Sequence, residues 1–64
     1  MDRYQLIKEI DELLTENGGR MPEQEVCRIF NIASVEIPWG YKVPWGNIFQ
    51  ANQTFDLIQI KKGN

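Results

Sequence analysis

Midway along the chain a short motif occurs twice in succession. Ile37-Pro38-Trp39-Gly40-Tyr41-Lys42 is followed directly by Val43-Pro44-Trp45-Gly46-Asn47-Ile48. Each copy places a branched aliphatic residue before Pro-Trp-Gly. Proline fixes φ and has no amide hydrogen, so it is barred from a helix interior and a central strand; glycine permits tight turns. In a chain of only 64 residues, this takes the middle out of regular structure. Residues 35–43 read as irregular, with at most a short strand or a single turn. A chain of this length forms one domain, residues 1–64, and buries only about 60% of the surface its unfolded form exposes.

The N-terminal half is helical. At 100° per residue, Leu6, Ile7, Ile10, Leu13 and Leu14 share one stripe. Lys8, Glu9, Asp11, Glu12, Thr15 and Glu16 fill the polar remainder. Asp2 is placed to cap this helix, with Gln5 as its reciprocal capping-box partner. Asn17-Gly18-Gly19 supplies a left-handed stop. The stripe lasts barely two heptads, which favours a core-facing helix over a coiled coil. A second helix opens at Pro22, with Glu23 and Glu25 in its first turn and Val26, Ile29 and Phe30 as its stripe. Asn31 is its expected left-handed end, and Cys27 reads as a small buried hydrophobe.

Two readings compete after Pro44. In one, a short helix carries Trp45, Ile48 and Phe49 as its stripe and ends near Asn52. In the other, residues 48–50 pair with residues 54–61. The helical spacing is preferred narrowly, although Gly46 costs it about 1 kcal/mol. Residues 54–61 read as a strand whose alternation slips between Leu57 and Ile58, as a bulge or burial on both faces would produce.

Composition excludes much chemistry. Without histidine the commonest neutral-pH acid/base is missing, together with Ser-His and Cys-His pairs and imidazole zinc sites. One cysteine makes neither an intramolecular disulfide nor a four-thiolate centre. No phosphate-loop glycine spacing is present. The expectation is a non-enzymatic protein with no cofactor and no metal. No apolar run approaches the length of a membrane span, and Met-Asp-Arg-Tyr leads straight into a charged helical pattern without a secretory signal. A reducing cytoplasm is the expected compartment.

The order of elements resembles a winged helix. The residues that carry the likeness are Leu13-Leu14-Thr15-Glu16-Asn17-Gly18-Gly19, the extended Arg20-Met21, and the helix from Pro22 to Ile32. Trp45-Gly46-Asn47-Ile48-Phe49 and Phe55-Asp56-Leu57-Ile58 are similar to a third helix and a wing strand. Within the superfamily the LOTUS type resembles the chain best, through its Gly-Gly turn and closing Phe-x-Leu strand. The resemblance implies an α+β single domain, with two N-terminal helices packed on a short C-terminal helix and strand or on a hairpin. It places the reading helix from Ser34 onward, where Pro38 and Gly40 interrupt it, and it leaves the wing without its second strand at Gly63-Asn64.

Charge divides by half. Residues 1–32 carry four basic and seven acidic groups, residues 33–64 three basic and two acidic, for a net charge of −2. The leading expectation is a regulatory or inhibitory module that binds a protein partner through Trp39, Tyr41 and Lys42, since exposed Trp and Tyr suit interface hot spots. Trp45 is assigned to the core. The acidic helix face of Glu9, Glu12 and Glu16 is a second candidate surface, suited to a basic site on such a partner. The alternative is nucleic-acid binding through Lys61 and Lys62 at the basic C-terminal end. The thin core also makes a homodimer a further expectation.

Overall fold

The computed structural model describes residues 2–63. Helix α1 spans Arg3–Glu16. Asp2 Oδ1 accepts the Gln5 amide at 2.7 Å, satisfying one of the helix's unpaired first-turn donors. The Gln5 side chain runs along the helix, with Nε2 donating to Glu9 Oε2 at 2.7 Å. Leu6, Ile7, Ile10 and Leu14 are buried, as the stripe requires. Asp11 from the polar set is buried as well. The helix stops where Gly18 and Gly19 adopt φ of +80° and +92°, and the Gly19 amide closes on the Leu14 carbonyl at 2.7 Å.

Strand β1 (Arg20–Pro22) leads directly into helix α2 (Glu23–Phe30). Pro22 occupies the cap position, one residue before the first helical position expected for it. Asn31 ends α2 in the left-handed region at φ 55°, and the Ile32 amide returns to the Cys27 carbonyl at 3.0 Å. Beyond it the chain makes only a single 3-10 turn, Ser34–Glu36.

The two Pro-Trp-Gly copies fold into different turns. In the first, the Tyr41 amide donates to the Pro38 carbonyl at 3.2 Å, with Gly40 third at φ +75°. Only glycine takes that angle without strain. In the second, the Gly46 amide donates to the Val43 carbonyl at 3.0 Å, which puts Pro44 second. One motif thus serves two turns, shifted by a residue.

The second turn corrects the helical reading after Pro44. Residues 47–51 form strand β2 (Asn47–Ala51), and Trp45-Ile48-Phe49 is not a helical stripe. Residues 40–43 run back along β2 and pair its outer edge from Asn47 to Phe49. Gly40 N donates to Phe49 O (2.8 Å), Phe49 N to Tyr41 O (3.0 Å) and Val43 N to Asn47 O (2.8 Å), and Lys42 bridges Ile48. A short helix interrupted by Gly46 offers no comparable pairing.

Strand β3 (Leu57–Lys62) pairs antiparallel with both neighbours, giving the order β1-β3-β2. The hairpin therefore has both its strands within the chain, contrary to the expected loss of the second. The apparent slip in alternation also disappears. Phe55 belongs to the hairpin tip, and along β3 Ile58 and Ile60 share the inner face with Phe49 while Leu57, Gln59 and Lys61 face outward.

Two helices and a three-stranded antiparallel sheet make an α+β domain. Phe49 and Ile58 point from the inner face of the sheet into a core with Leu6, Ile7, Ile10, Leu14, Val26, Ile37 and Val43. Residues on either side of these in the strands point outward. No helix among the described residues is long and apolar enough to cross a membrane.

Candidate partner-binding surface

Trp39 is held from two sides. Its indole N–H donates to the Ser34 carbonyl at 2.9 Å. Its ring meets that of Phe55 edge to face, with centroids 5.2 Å apart and planes at 80°. Trp39 also packs against the core and remains half-buried. Phe55 is 54% exposed at the hairpin tip. The two rings, with Gly40, Ile48, Gln50 and Ala51, line a recess of about 530 Å³. Ile48 and Gln50 flank the buried Phe49 and project from the outer face, so the recess opens where that face meets the β2 edge.

Phe55 carries a backbone cost. It sits at φ 58°, a left-handed conformation that bulky side chains rarely adopt. The Asn52 side chain imposes it. Asn52 Oδ1 accepts the Asp56 and Leu57 amides at 3.0 and 3.1 Å, and Asn52 Nδ2 donates to Thr54 Oγ1 and to Asp56 Oδ1. The Asn52 and Thr54 hydrogen bonds hold the Asp56 carboxyl below its usual range.

The other singled-out residues are spread around the molecule. Tyr41 and Lys42 are exposed next to the recess but do not line it. Lys42 bridges Ile48 on the outer face, and strand alternation turns Tyr41 the other way. Glu9, Glu12 and Glu16 do come together along α1, beside a shallow groove against Ile29 and Phe30 of α2. Lys61 and Lys62 separate: Lys61 pairs with Ile48 on the outer face, Lys62 with Asn47 on the inner one. The C-terminal lysine pair therefore does not form a single patch.

Trp45 is not in the core. It is 46% exposed, meets Tyr4 edge to face at 6.5 Å, and donates its indole N–H to Asp11 Oδ2 at 2.7 Å. Asn47 Nδ2 donates to the other Asp11 oxygen at 2.9 Å. Asp11 is only 5% exposed, and both its oxygens are satisfied, as a buried carboxylate requires. Cys27 is half-buried. Burial first, then the Glu23 carboxylate that its thiol contacts at 3.1 Å, push its pKa up to about 11. Among the described residues no group of three or more His, Cys, Asp or Glu side chains is placed to hold a metal ion.

Sequence reasoning passed over Phe55, Ile48 and Asp11. Phe55 resembled a strand residue, Ile48 a helix-stripe residue and Asp11 a solvated charge. Ile48 and Asp11 owe their roles to pairing across the fold, and Phe55 to the Asn52 side chain three residues before it together with Trp39 across the recess. No protein-family model, curated protein or solved structure matches the chain.

Proposed function

We propose that the protein is a non-enzymatic regulatory or inhibitory module that binds a protein partner through the recess between Trp39 and Phe55. The observation that carries this reading is Phe55 itself. An exposed phenylalanine held at φ 58° contributes little burial and costs backbone strain, and such strain concentrates where a chain serves function over stability. With Trp39 it makes a rigid aromatic anchor point of the kind that dominates protein interfaces. The winged-helix reading accords with this. Helix, strand, helix and hairpin follow one another along the chain, but the segment likened to a third helix, 45–49, is turn and strand β2, and the segment assigned to the reading helix amounts to the single turn Ser34–Glu36. A domain of that plan without its reading helix is suited to protein contact rather than groove insertion.

Affinity capture from cell extract, compared across variants, tests the reading. Wild type and the surface control Gln24→Ala, an exposed position of α2 outside every candidate surface, should retain a common protein that Trp39→Ala and Phe55→Gly lose. Retention by both aromatic variants would contradict it.

A further inference from the structure

We infer that the uncovered outer face of the sheet docks an acidic polypeptide segment, with an apolar side chain in the Trp39–Phe55 recess and carboxylates on Arg20, Lys42 and Lys61. This inference rests on the recess being a protein contact and adds the chemistry of the partner.

The strand register places the cations. Arg20 lies opposite Gln59, which lies opposite Gln50. Lys61 lies opposite Ile48, which bridges Lys42. Cross-strand partners project to the same side, and so do alternate residues along a strand. Arg20, Lys42 and Lys61 therefore share one face with Ile48, Gln50, Leu57 and Gln59. No acidic residue lies in these rows. All three cations are exposed, and among the described residues none has an intramolecular carboxylate partner, the ion pair present being Arg28–Glu25. Lysine on an edge strand can serve merely to deter edge pairing. Lys61 lies on β3 beyond the Leu57–Gln59 stretch that β1 pairs, and what sets it apart is that it shares its face with Lys42 across Ile48.

Of the nine acidic residues, Glu9, Glu12 and Glu16 lie along α1 and Asp11 is buried beneath Trp45; Asp56 is exposed at the hairpin tip beside Phe55, where the Asn52 side chain holds its carboxylate. A molecule of net charge −2 thus turns outward a sheet face whose three charged residues are all basic. Lys42 and Lys61 stand two strand spacings apart, roughly 10 Å, with Ile48 between them. That arrangement suits carboxylates on either side of an apolar residue. It suits a nucleic-acid strand less well. The Trp39 and Phe55 rings meet edge to face and do not form parallel platforms on which bases stack. A long polyanion would also feel the acidic remainder of the molecule within a Debye length of about 8–10 Å.

Selection of a random peptide library displayed on phage against the full chain tests the inference, followed by titration of synthetic copies of the selected peptides. The expected binders carry Asp or Glu around an apolar residue. Their affinity should fall roughly tenfold in Arg20→Glu/Lys61→Glu and weaken as salt rises, as for solvent-accessible charge pairs. Lys42→Glu alone should give a smaller loss in the same direction. Binders that need Trp39 and Phe55 but show no acidic bias and no response to the charge reversals would overturn this inference while leaving the recess reading in place. Acidic binders indifferent to Trp39→Ala and Phe55→Gly would remove the recess reading, and the inference with it. Salt-sensitive binding of oligothymidylate lost on the same charge reversals would replace the peptide with nucleic acid.

Discussion

The Trp45 indole N–H donates to the buried Asp11 carboxylate across 2.7 Å, joining the middle of α1 to the turn that launches β2. Asn47 supplies the other oxygen at 2.9 Å. This clamp gives Trp45 a structural role even though much of its ring faces solvent, and it fixes the second Pro-Trp-Gly turn against the helix. Asp11→Ala would leave the Asn47 amide without its acceptor and abolish a charge-assisted pair. A loss of about 2 kcal/mol is expected, which in so small a domain lowers Tm by roughly 8–16 °C. Trp45→Phe removes one donor only and should cost less. Thermal melts of the two variants check the order; an Asp11→Ala protein that melts with wild type would remove the clamp from the account.

The hairpin tip should respond to acid. The Asn52 side chain, then Thr54, holds the exposed Asp56 carboxyl below its usual range. A carboxyl lowered on folding contributes stability at pH values above its unfolded pKa of about 3.9. That contribution is lost as pH falls through the folded value. Tm of wild type should therefore drop more steeply below about pH 4 than that of Asp56→Asn, which keeps an acceptor but does not titrate. Glu25, lowered by Arg28, titrates in both proteins and cancels in the comparison. Parallel pH profiles for the two proteins would contradict the assignment.

Cys27 should be a poor nucleophile. With its pKa raised to about 11 by burial and by Glu23, its thiolate is scarce at pH 8. Alkylation by iodoacetamide at that pH should run on the order of a hundredfold slower than for a free thiol of pKa about 8.5. Glu23→Gln, which removes the adjacent charge, should speed it. Reaction at the rate of an exposed cysteine would show that the thiol is neither buried nor paired as described.

Much of the helical half was legible in sequence because its determinants are local. The stripe of Leu6, Ile7, Ile10 and Leu14, the Asp2 cap, the Gly18-Gly19 stop and the left-handed Asn31 each act within a turn or two of the residues they govern. The hairpin was less legible. Trp45, Ile48 and Phe49 carry helical spacing by coincidence, and what decides their conformation is pairing with residues 40–43 on one side and β3 on the other. Asp11 sits among charged neighbours on a polar face, and only Trp45 and Asn47, more than thirty residues away, make it a buried acceptor. Trp39 was legible as a half-exposed aromatic because the surrounding Pro and Gly fix a turn. Its partner Phe55 was not, since its left-handed backbone follows from side-chain bonds of Asn52 that alternation does not encode.

The role of Phe55 separates stability from binding. Phe55→Gly relieves a left-handed backbone worth about 1 kcal/mol and gives up an edge-to-face ring pair worth about 0.5–1.5 kcal/mol, so the fold should be nearly unchanged. The most direct measurement is to determine, on one preparation of Phe55→Gly, both Tm and affinity for a peptide or protein that wild type binds. The account predicts a Tm within roughly 8 °C of wild type together with at least about a tenfold loss of affinity. A variant that binds as wild type does, or one that simply unfolds, would contradict the claim that Phe55 is held at the hairpin tip for a partner.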